Sequence, residues 1–433
     1  MDALSQTREA QAAWSTAKFY AYVETFDGPL PGTPSGRPTS SHPPESKEDK
    51  RFLVILDSIS ADWADMNLST DATNAIRAAD KAPVAIIVVE LPNGLTEKFV
   101  QAEIQEQAWL EVQLGPTGTP ATLFADLDGP AFPVAILDIK RLPWARAKQL
   151  AESIGLGFAH DAPRDVISAA LSGRASSYLA VYDVGQGNCN ALCDSAPTWY
   201  FDFGGGCLWN ARTYPVPLRF CFKYNPPIVL SHWDFDHWFS AAKNDRAKAA
   251  LWIVPRQTIG PRTWKFAAEL YLKGSFRVWG GIDRVAVPDG EIVRCTGPES
   301  DKNSSGLAAV VSLKAGTGLL PGDAAYSRIP KCPNTLSALV AMHHGSHKHL
   351  EDPPRAVDRR ELAFSYGRGN SYDHPTGTAR GVYREAAWLS IHETPLGHVA
   401  LLATGQPRLG CGGEQCDLQI GGAARSLLVR ETA

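Results

Sequence analysis

At 433 residues the chain is long enough for two or three domains with ample cores. Its 44% apolar and 20% charged residues match a soluble globular protein and exclude a disordered or fibrous one. No apolar run approaches the ~18 residues of a membrane span. The start, Met1-Asp2-Ala3-Leu4-Ser5, lacks the basic and apolar regions of a signal peptide, so a cytoplasmic location and no membrane partner are expected. The net charge of −4 is uneven: residues 1–174 hold 15 Lys+Arg against 23 Asp+Glu, and residues 175–433 hold 27 against 23. The more basic second half permits an anionic substrate without requiring one.

In chain order, residues 5–20 allow an amphipathic helix with Ala10, Trp14, Ala17 and Phe19 on one side. Residues 28–50 are rich in Pro, Ser, Gly and charge and read as a linker, so 1–50 is a helix plus linker. Over 51–170 a small α/β unit is expected. Its strands are 52–56, 83–89 and 132–137, and its helices begin near Ser69-Thr70-Asp71 and span 97–111 and 143–154. Asp57 and Ser58 follow a strand end, where acids are common. The region carries no phosphate loop, nucleophile elbow or metal cluster and reads as a docking or sensing module for a protein partner. Residues 155–176, with a short helix near 166–171, form the boundary.

From Tyr178 the texture changes. Strands 178–184 and 199–203 run into Gly185-Gln186-Gly187-Asn188 and Gly204-Gly205-Gly206. The short apolar run Pro227-Ile228-Val229-Leu230 then leads into Ser231-His232-Trp233-Asp234-Phe235-Asp236-His237-Trp238. Four potential metal ligands, His232, Asp234, Asp236 and His237, fall within six positions. In an extended segment or tight loop, i, i+2 and i+4 point the same way. Later apolar runs end in Gly322-Asp323, in His343-His344-Gly345-Ser346-His347 and, after a longer loop, in His374. Nitrogen and oxygen donors together suit zinc, manganese or iron.

Other residues leave alternatives open. Core packing explains most of the tryptophans, but Trp233 and Trp238 flank the ligands and are candidates to stack on a base. Arg256, Arg262, Lys265, Lys273 and Arg277 line either a phosphate track or a solvated helical face. His347 and His349 extend the site or sit incidentally on a surface loop. Asp202, Ser231 and Asn370 are candidates to orient imidazoles. All eight cysteines lie after residue 188, and buried thiols are the plain reading. Cys411 and Cys416 flank Gly412-Gly413-Glu414-Gln415 and have the spacing to close a hairpin by a disulfide; without further ligands they make no zinc site.

These residues resemble the metallo-β-lactamase superfamily, with its His-x-His-x-Asp-His cluster, Gly-Asp and His-Gly. They are more similar still to the hydrolase domain of ComEC-type DNA-uptake proteins and their stand-alone relatives. Asp183 to Gly187, Asp234 in place of a histidine, Leu319 to Asp323, His343 to Ser346, and Ser365, Gly367, Asn370, His374 and Pro375 follow that branch in order. The resemblance covers about 177–430. It implies a C-terminal αββα metallo-β-lactamase sandwich beside the separate small N-terminal α/β domain.

It also implies two divalent ions, Zn or Mn. His232 and Asp234 would hold one, Asp236, His237 and His344 the other, and Asp323 would bridge. Asp236 and His374 are then the catalytic candidates, with Trp233, Trp238, Asn370 and His343 toward substrate. Three departures stand out. Trp238-Phe239-Ser240 replaces a Gly-Gly, Asn188 replaces an Asp, and no histidine lies between 237 and 343, where Asn303 or Ser304 takes the place.

The expected function is a metal-dependent phosphodiesterase or nuclease using a metal-bridged hydroxide on DNA or RNA. The alternative is a metallo-hydrolase of another ester, lactone, thioester or peptide bond, its partner chosen by the N-terminal module. A vestigial, purely regulatory site fits the near-complete ligand set poorly.

Overall fold

The structure, a computed structural model, describes residues 14, 16–27, 52–68, 71–91, 97–216, 218–347, 350–405, 407, 410, 411 and 416. The expected linker, the start of the helix at Ser69-Thr70, His349 and most of the N-terminal helix lie outside these residues. The chain divides into two compact units, Met1–Phe158 with Thr258–Ala268, and Ala159–Gln257 with Glu269–Ala433.

The first unit is built on six strands: β1 Lys18–Asp27, β2 Phe52–Ser60, β3 Val84–Leu91, β4 Trp109–Gly115, β5 Thr119–Phe124 and β6 Ala131–Arg141. They close into a barrel in the order β1-β2-β3-β5-β6-β4, every pairing antiparallel. Side chains alternate along each strand, so Phe19, Ala21 and Val23, Val54 and Leu56, Ile87 and Val89, and Leu110, Val112 and Leu114 fill one core. This corrects the expected layered α/β domain. The segment read as a helix over 97–111 forms only one helical turn, Glu97–Gln101, before β4. Trp109-Leu110-Glu111-Val112-Gln113-Leu114 has the period of two that marks a half-buried strand. Ala17 and Phe19, assigned to a helix, lead into and lie in β1.

Asp57 has no catalytic setting here. It lies in β2, fully buried, and accepts the backbone N–H of Arg262 at 2.8 and 2.9 Å and of Thr263 at 3.4 Å. It thus satisfies the orphan donors at the start of the helix Pro261–Leu272. Burial and the Glu24 carboxylate push Asp57 well above the usual carboxylate range, against the pull of those donors and the Arg262 guanidinium.

The second unit contributes β7 Tyr178–Val181, β8 Cys189–Cys193, β9 Pro197–Phe203, β10 Ile228–Val229, β11 Trp252–Pro255, β12 Phe276–Trp279, β13 Arg284–Val287, β14 Gly290–Arg294, β15 Leu307–Leu313, β16 Gly316–Leu320, β17 Thr335–Val340, β18 Arg355–Phe364, β19 Ser390–Glu393 and β20 Val399–Leu401. One seven-stranded sheet runs β12-β11-β10-β9-β8-β7-β20, the other β13 through β19 in sequence order. Both are mixed, with parallel pairs from β9 to β12 and from β16 to β19. Neighbouring residues of the second sheet enter different cores. Val311, Leu320 and Val340 join Leu179, Phe201 and Ile253 of the first sheet in one core. Val310, Leu319 and Leu339 pack with Tyr383 and Trp388 in another. Burial on both faces explains why these strands read as unbroken apolar runs.

The described residues are therefore rich in β-structure, with three sheets, one of them a closed six-stranded barrel, and 25% helix. The expectation of an αββα sandwich beside an α/β domain is corrected on that ground. Among the described residues no helix is long and apolar enough to cross a membrane.

Candidate metal centre

The cluster straddles a change of structure. His232 and Asp234 lie just past β10, and Asp234 is the extended residue before the helix Phe235–Ala242. Asp236 and His237 fall in that helix's first turn, not in the extended segment or loop anticipated. Two glycine turns hold the helix start. The backbone N–H of Asn188 and of Gly205 both donate to the Asp236 carbonyl at 3.0 Å. Gly204 packs so tightly here that a Cβ would sit 1.7 Å from that oxygen. Asp323 follows β16, and His344 lies in the turn after β17.

These segments bring six of the expected ligands together. His232 Nε2 is 3.4 Å from Asp234 Oδ2 and 3.9 Å from Asp323 Oδ2. His237 Nε2 is 3.3 Å from Asp323 Oδ1 and 3.9 Å from Asp236 Oδ1. His344 Nε2 is 3.1 Å from Asp236 Oδ2 and 4.0 Å from Asp323 Oδ2. His343 Nε2 stands 3.5 Å from Asp323 Oδ2. Two sets have donor atoms within 4.8 Å of one another: His232, His237 and Asp323, and Asp236, His237 and His344.

The outer nitrogens are spoken for. His237 Nδ1 lies 2.9 Å from Asp202 Oδ2, and His344 Nδ1 lies 2.8 Å from the Ser365 carbonyl. The Ser231 hydroxyl donates to Asp202 at 2.9 Å and lies 3.0 Å from His232 Nδ1. Carboxylate and carbonyl acceptors at Nδ1 put the proton there, which leaves the Nε2 lone pair of His237 and His344 facing inward. The Nε2 atoms of His232, His237 and His344 and the Oδ1 of Asp323 are buried, and none makes a well-directed hydrogen bond. Buried acceptors of this kind are costly without a partner, and a divalent cation satisfies them together.

The charge balance points the same way. Burial alone would raise Asp323 and Asp236, but the surrounding imidazoles win and hold Asp323 well below, and Asp236 below, the usual carboxylate range. His237 and His344 are raised despite their burial, because Asp323 and the other carboxylates favour positive charge there.

Lys302 is the residue that sequence reasoning missed. Its ammonium, nearly buried, pairs with Asp234 Oδ1 at 2.8 Å. Of the stretch expected to replace the absent histidine, this lysine and neither Asn303 nor Ser304 is ion-paired to the cluster. Burial would raise Asp234, but Lys302 and His232 hold it far below its ordinary value. Lys302 thus holds Asp234 Oδ1, while Oδ2 stays 3.4 Å from His232 Nε2. No spacing signal marks a lone lysine some 70 residues beyond its partner.

His374 stands beside the cluster, its ring 5.6 Å from that of His343 and 6.3 Å from that of His344. Burial and these two imidazoles push it down to about 2, so it is neutral. Asn370 points its side chain into its own loop. It donates to the Gly367 and His374 carbonyls at 2.9 and 2.7 Å and accepts from the Tyr372 and His374 N–H. It positions His374 through the backbone and is not placed to bind substrate.

Trp233 and Trp238 are corrected too. Both are fully buried, and their indole N–H groups donate to the Pro255 and Trp233 carbonyls. They pack in the core and present no face for a base. The cations weighed as a phosphate track each have a partner within the protein. Arg262 pairs with Asp126 and Lys265 reaches the Ala82 carbonyl; Arg256 pairs with Asp161, Lys273 with Glu269, and Arg277 reaches the Phe276 carbonyl.

The Asp183–Gly187 turn is anchored by His398, whose Nδ1 accepts the Asp183 N–H at 2.9 Å. Burial lowers His398 from its ordinary 6.5 to about 4. The unfolded chain then binds the proton that the folded one refuses, so stability is full above pH 6.5 and is lost as pH falls toward 4. With partial exposure discounted, the loss is about 2 kcal/mol. Urea unfolding across this range should show that slope in the wild type and a flatter one in His398→Gln. No family model and no curated protein matches this sequence.

Proposed function

We propose that the chain is a metal-dependent hydrolase acting on phosphodiester bonds of DNA or RNA. The observation carrying the reading is the convergence of three buried imidazole Nε2 atoms and Asp323 Oδ1, none with a well-directed hydrogen bond. An Nε2 atom has one lone pair, so His237 serves only one of the two donor sets. The residues fit one ion with a full set, Asp236, His237 and His344 with Asp323. They fit a second with a shorter set, His232 and Asp323, beside the one Asp234 oxygen that Lys302 does not hold. The mixed donors suit Zn or Mn. When bound, such ions supply Lewis-acid polarisation of a phosphoryl oxygen and activation of water.

The protein's own groups have separate tasks. Asp236, with its side chain 22% exposed, is ionised and open to take a proton from an attacking water. Neutral His374 is poised to hydrogen-bond a substrate oxygen or the leaving group, and His343 faces the same side. Asp202 and Ser231 fix the imidazoles. The ordered motifs shared with the uptake hydrolases support the phosphodiester substrate.

A second reading, hydrolysis of an ester, lactone, thioester or peptide bond, is favoured by one observation. The arginines and lysines of 256–277 are engaged within the protein, and the flanking tryptophans are buried. The barrel supplies none of the donors in the two sets and remains a candidate module for a protein partner.

The metal-stripped protein, given Mn²⁺, Zn²⁺ or Mg²⁺ separately, tests both readings on single- and double-stranded DNA, RNA, a generic phosphodiester and an ester and lactone panel. Cleavage of phosphodiesters restored by Mn²⁺ or Zn²⁺, and absent in His237→Ala, is the expected result. Turnover confined to the ester panel transfers the assignment to the second reading. Inactivity on every substrate with every metal sinks both.

A further inference from the structure

The second cluster of metal-ligating side chains lies apart from the histidines. Cys221, Cys411 and Cys416 have sulfurs within 4.8 Å of one another, and none of the three is joined in a disulfide. Cys221 and Cys416 are buried, at 1% and 3% exposure, and Cys411 is half-buried. One cysteine comes from the loop before β10 and two from the segment after β20, so nearly 200 residues of sequence separate the partners.

We propose that these three cysteines form a thiolate site for zinc, structural in role and distinct from the histidine centre. Two arguments carry this. First, the sulfurs are close enough to share one ion, since Zn–S bonds of about 2.3 Å place tetrahedral sulfurs about 3.8 Å apart. Second, a disulfide joins two sulfurs and leaves the third against it as an exchanging thiol, whereas an ion uses all three. A water or one further side chain completes the four positions that zinc takes.

The site has a clear structural consequence. The Cys221 carbonyl accepts the Tyr200 hydroxyl at 2.8 Å, and Tyr200 lies in β9, two residues before Asp202. An ion on the cysteines would tie the segment around 411–416 to the strand that delivers the orienting carboxylate of His237.

The test uses the full chain. Zinc in the purified protein is counted by elemental analysis in a His232→Ala/His237→Ala background, so that the cysteine site stands alone. One zinc per chain, retained on dialysis and lost when Cys411→Ser/Cys416→Ser is added, is the expected result. Should the combined variant fail to fold, wild-type protein loaded with Co²⁺ decides instead. Thiolate-to-cobalt charge-transfer absorption in the near ultraviolet supports the site, because the histidine centre has no sulfur. Its absence overturns the proposal. So does a count of two fewer than the eight cysteine thiols in denaturant without reductant, which would reveal a disulfide.

Discussion

Lys302→Met is expected to destabilise the metal-free protein by about 3 kcal/mol and to make its stability respond to divalent ions. The ammonium sits 2.8 Å from Asp234 Oδ1 with its side chain only 6% exposed, and Asp234 is itself three-quarters covered. Methionine preserves much of the packed stem but removes the charge, so the Asp234 Oδ1 is left without its ammonium partner. Asp234 then has both oxygens to offer beside His232. Added Mn²⁺ or Zn²⁺ should recover part of the loss, by mass action on the folded state. Urea unfolding with and without each ion measures both effects. Wild-type stability in Lys302→Met without metal would show that the ion pair does not matter. Loss without any metal response would show that Asp234 stays outside the centre.

Asp202→Asn is expected to weaken metal binding 10- to 100-fold, the usual cost of losing an orienting partner behind a ligand histidine. Asp202 is fully buried and accepts three donors: the Ser231 N–H at 2.6 Å, the Ser231 hydroxyl at 2.9 Å and His237 Nδ1 at 2.9 Å. An amide keeps the shape but offers one oxygen and a donor in place of the second. A donor facing Nδ1 turns that nitrogen into an acceptor and moves the proton to Nε2, where it blocks the lone pair. Calorimetric Zn²⁺ titration of the stripped protein gives the affinity, and circular dichroism checks the fold. Unchanged affinity in a folded variant would remove Asp202 from the centre.

Much of the centre was legible because its signals are local. Four donors within His232 to His237, and an aspartate and a histidine each following an apolar strand, are patterns of composition and short spacing. A strand buried on both faces announces itself as an apolar run, which is why β10, β16 and β17, the strands leading to His232, Asp323 and His343, are legible in the sequence. Two barrel strands carry a weaker signal. Trp109–Gly115 carries its period of two over only seven residues, and its first half also fits the end of a helix. Lys18–Asp27 begins in a stretch that satisfies an amphipathic helix equally well. Two alternations missed in this way turned an antiparallel barrel into an apparent layered α/β domain.

The sequence by itself determined the chemistry on offer: nitrogen and oxygen donors in one cluster, thiols confined to the second half, and the order in which strand ends deliver them. Only the tertiary structure decided which of these groups meet. Lys302 reaches Asp234, Asp202 reaches His237, and Cys221 reaches Cys411 and Cys416 across separations over which spacing along the chain says nothing about distance. It also settled the role of Trp233 and Trp238, whose neighbours in sequence are ligands and whose neighbours in space are core. Local pattern follows from backbone geometry. Pairing between distant segments follows from how whole sheets stack and which buried charges must be matched when they do.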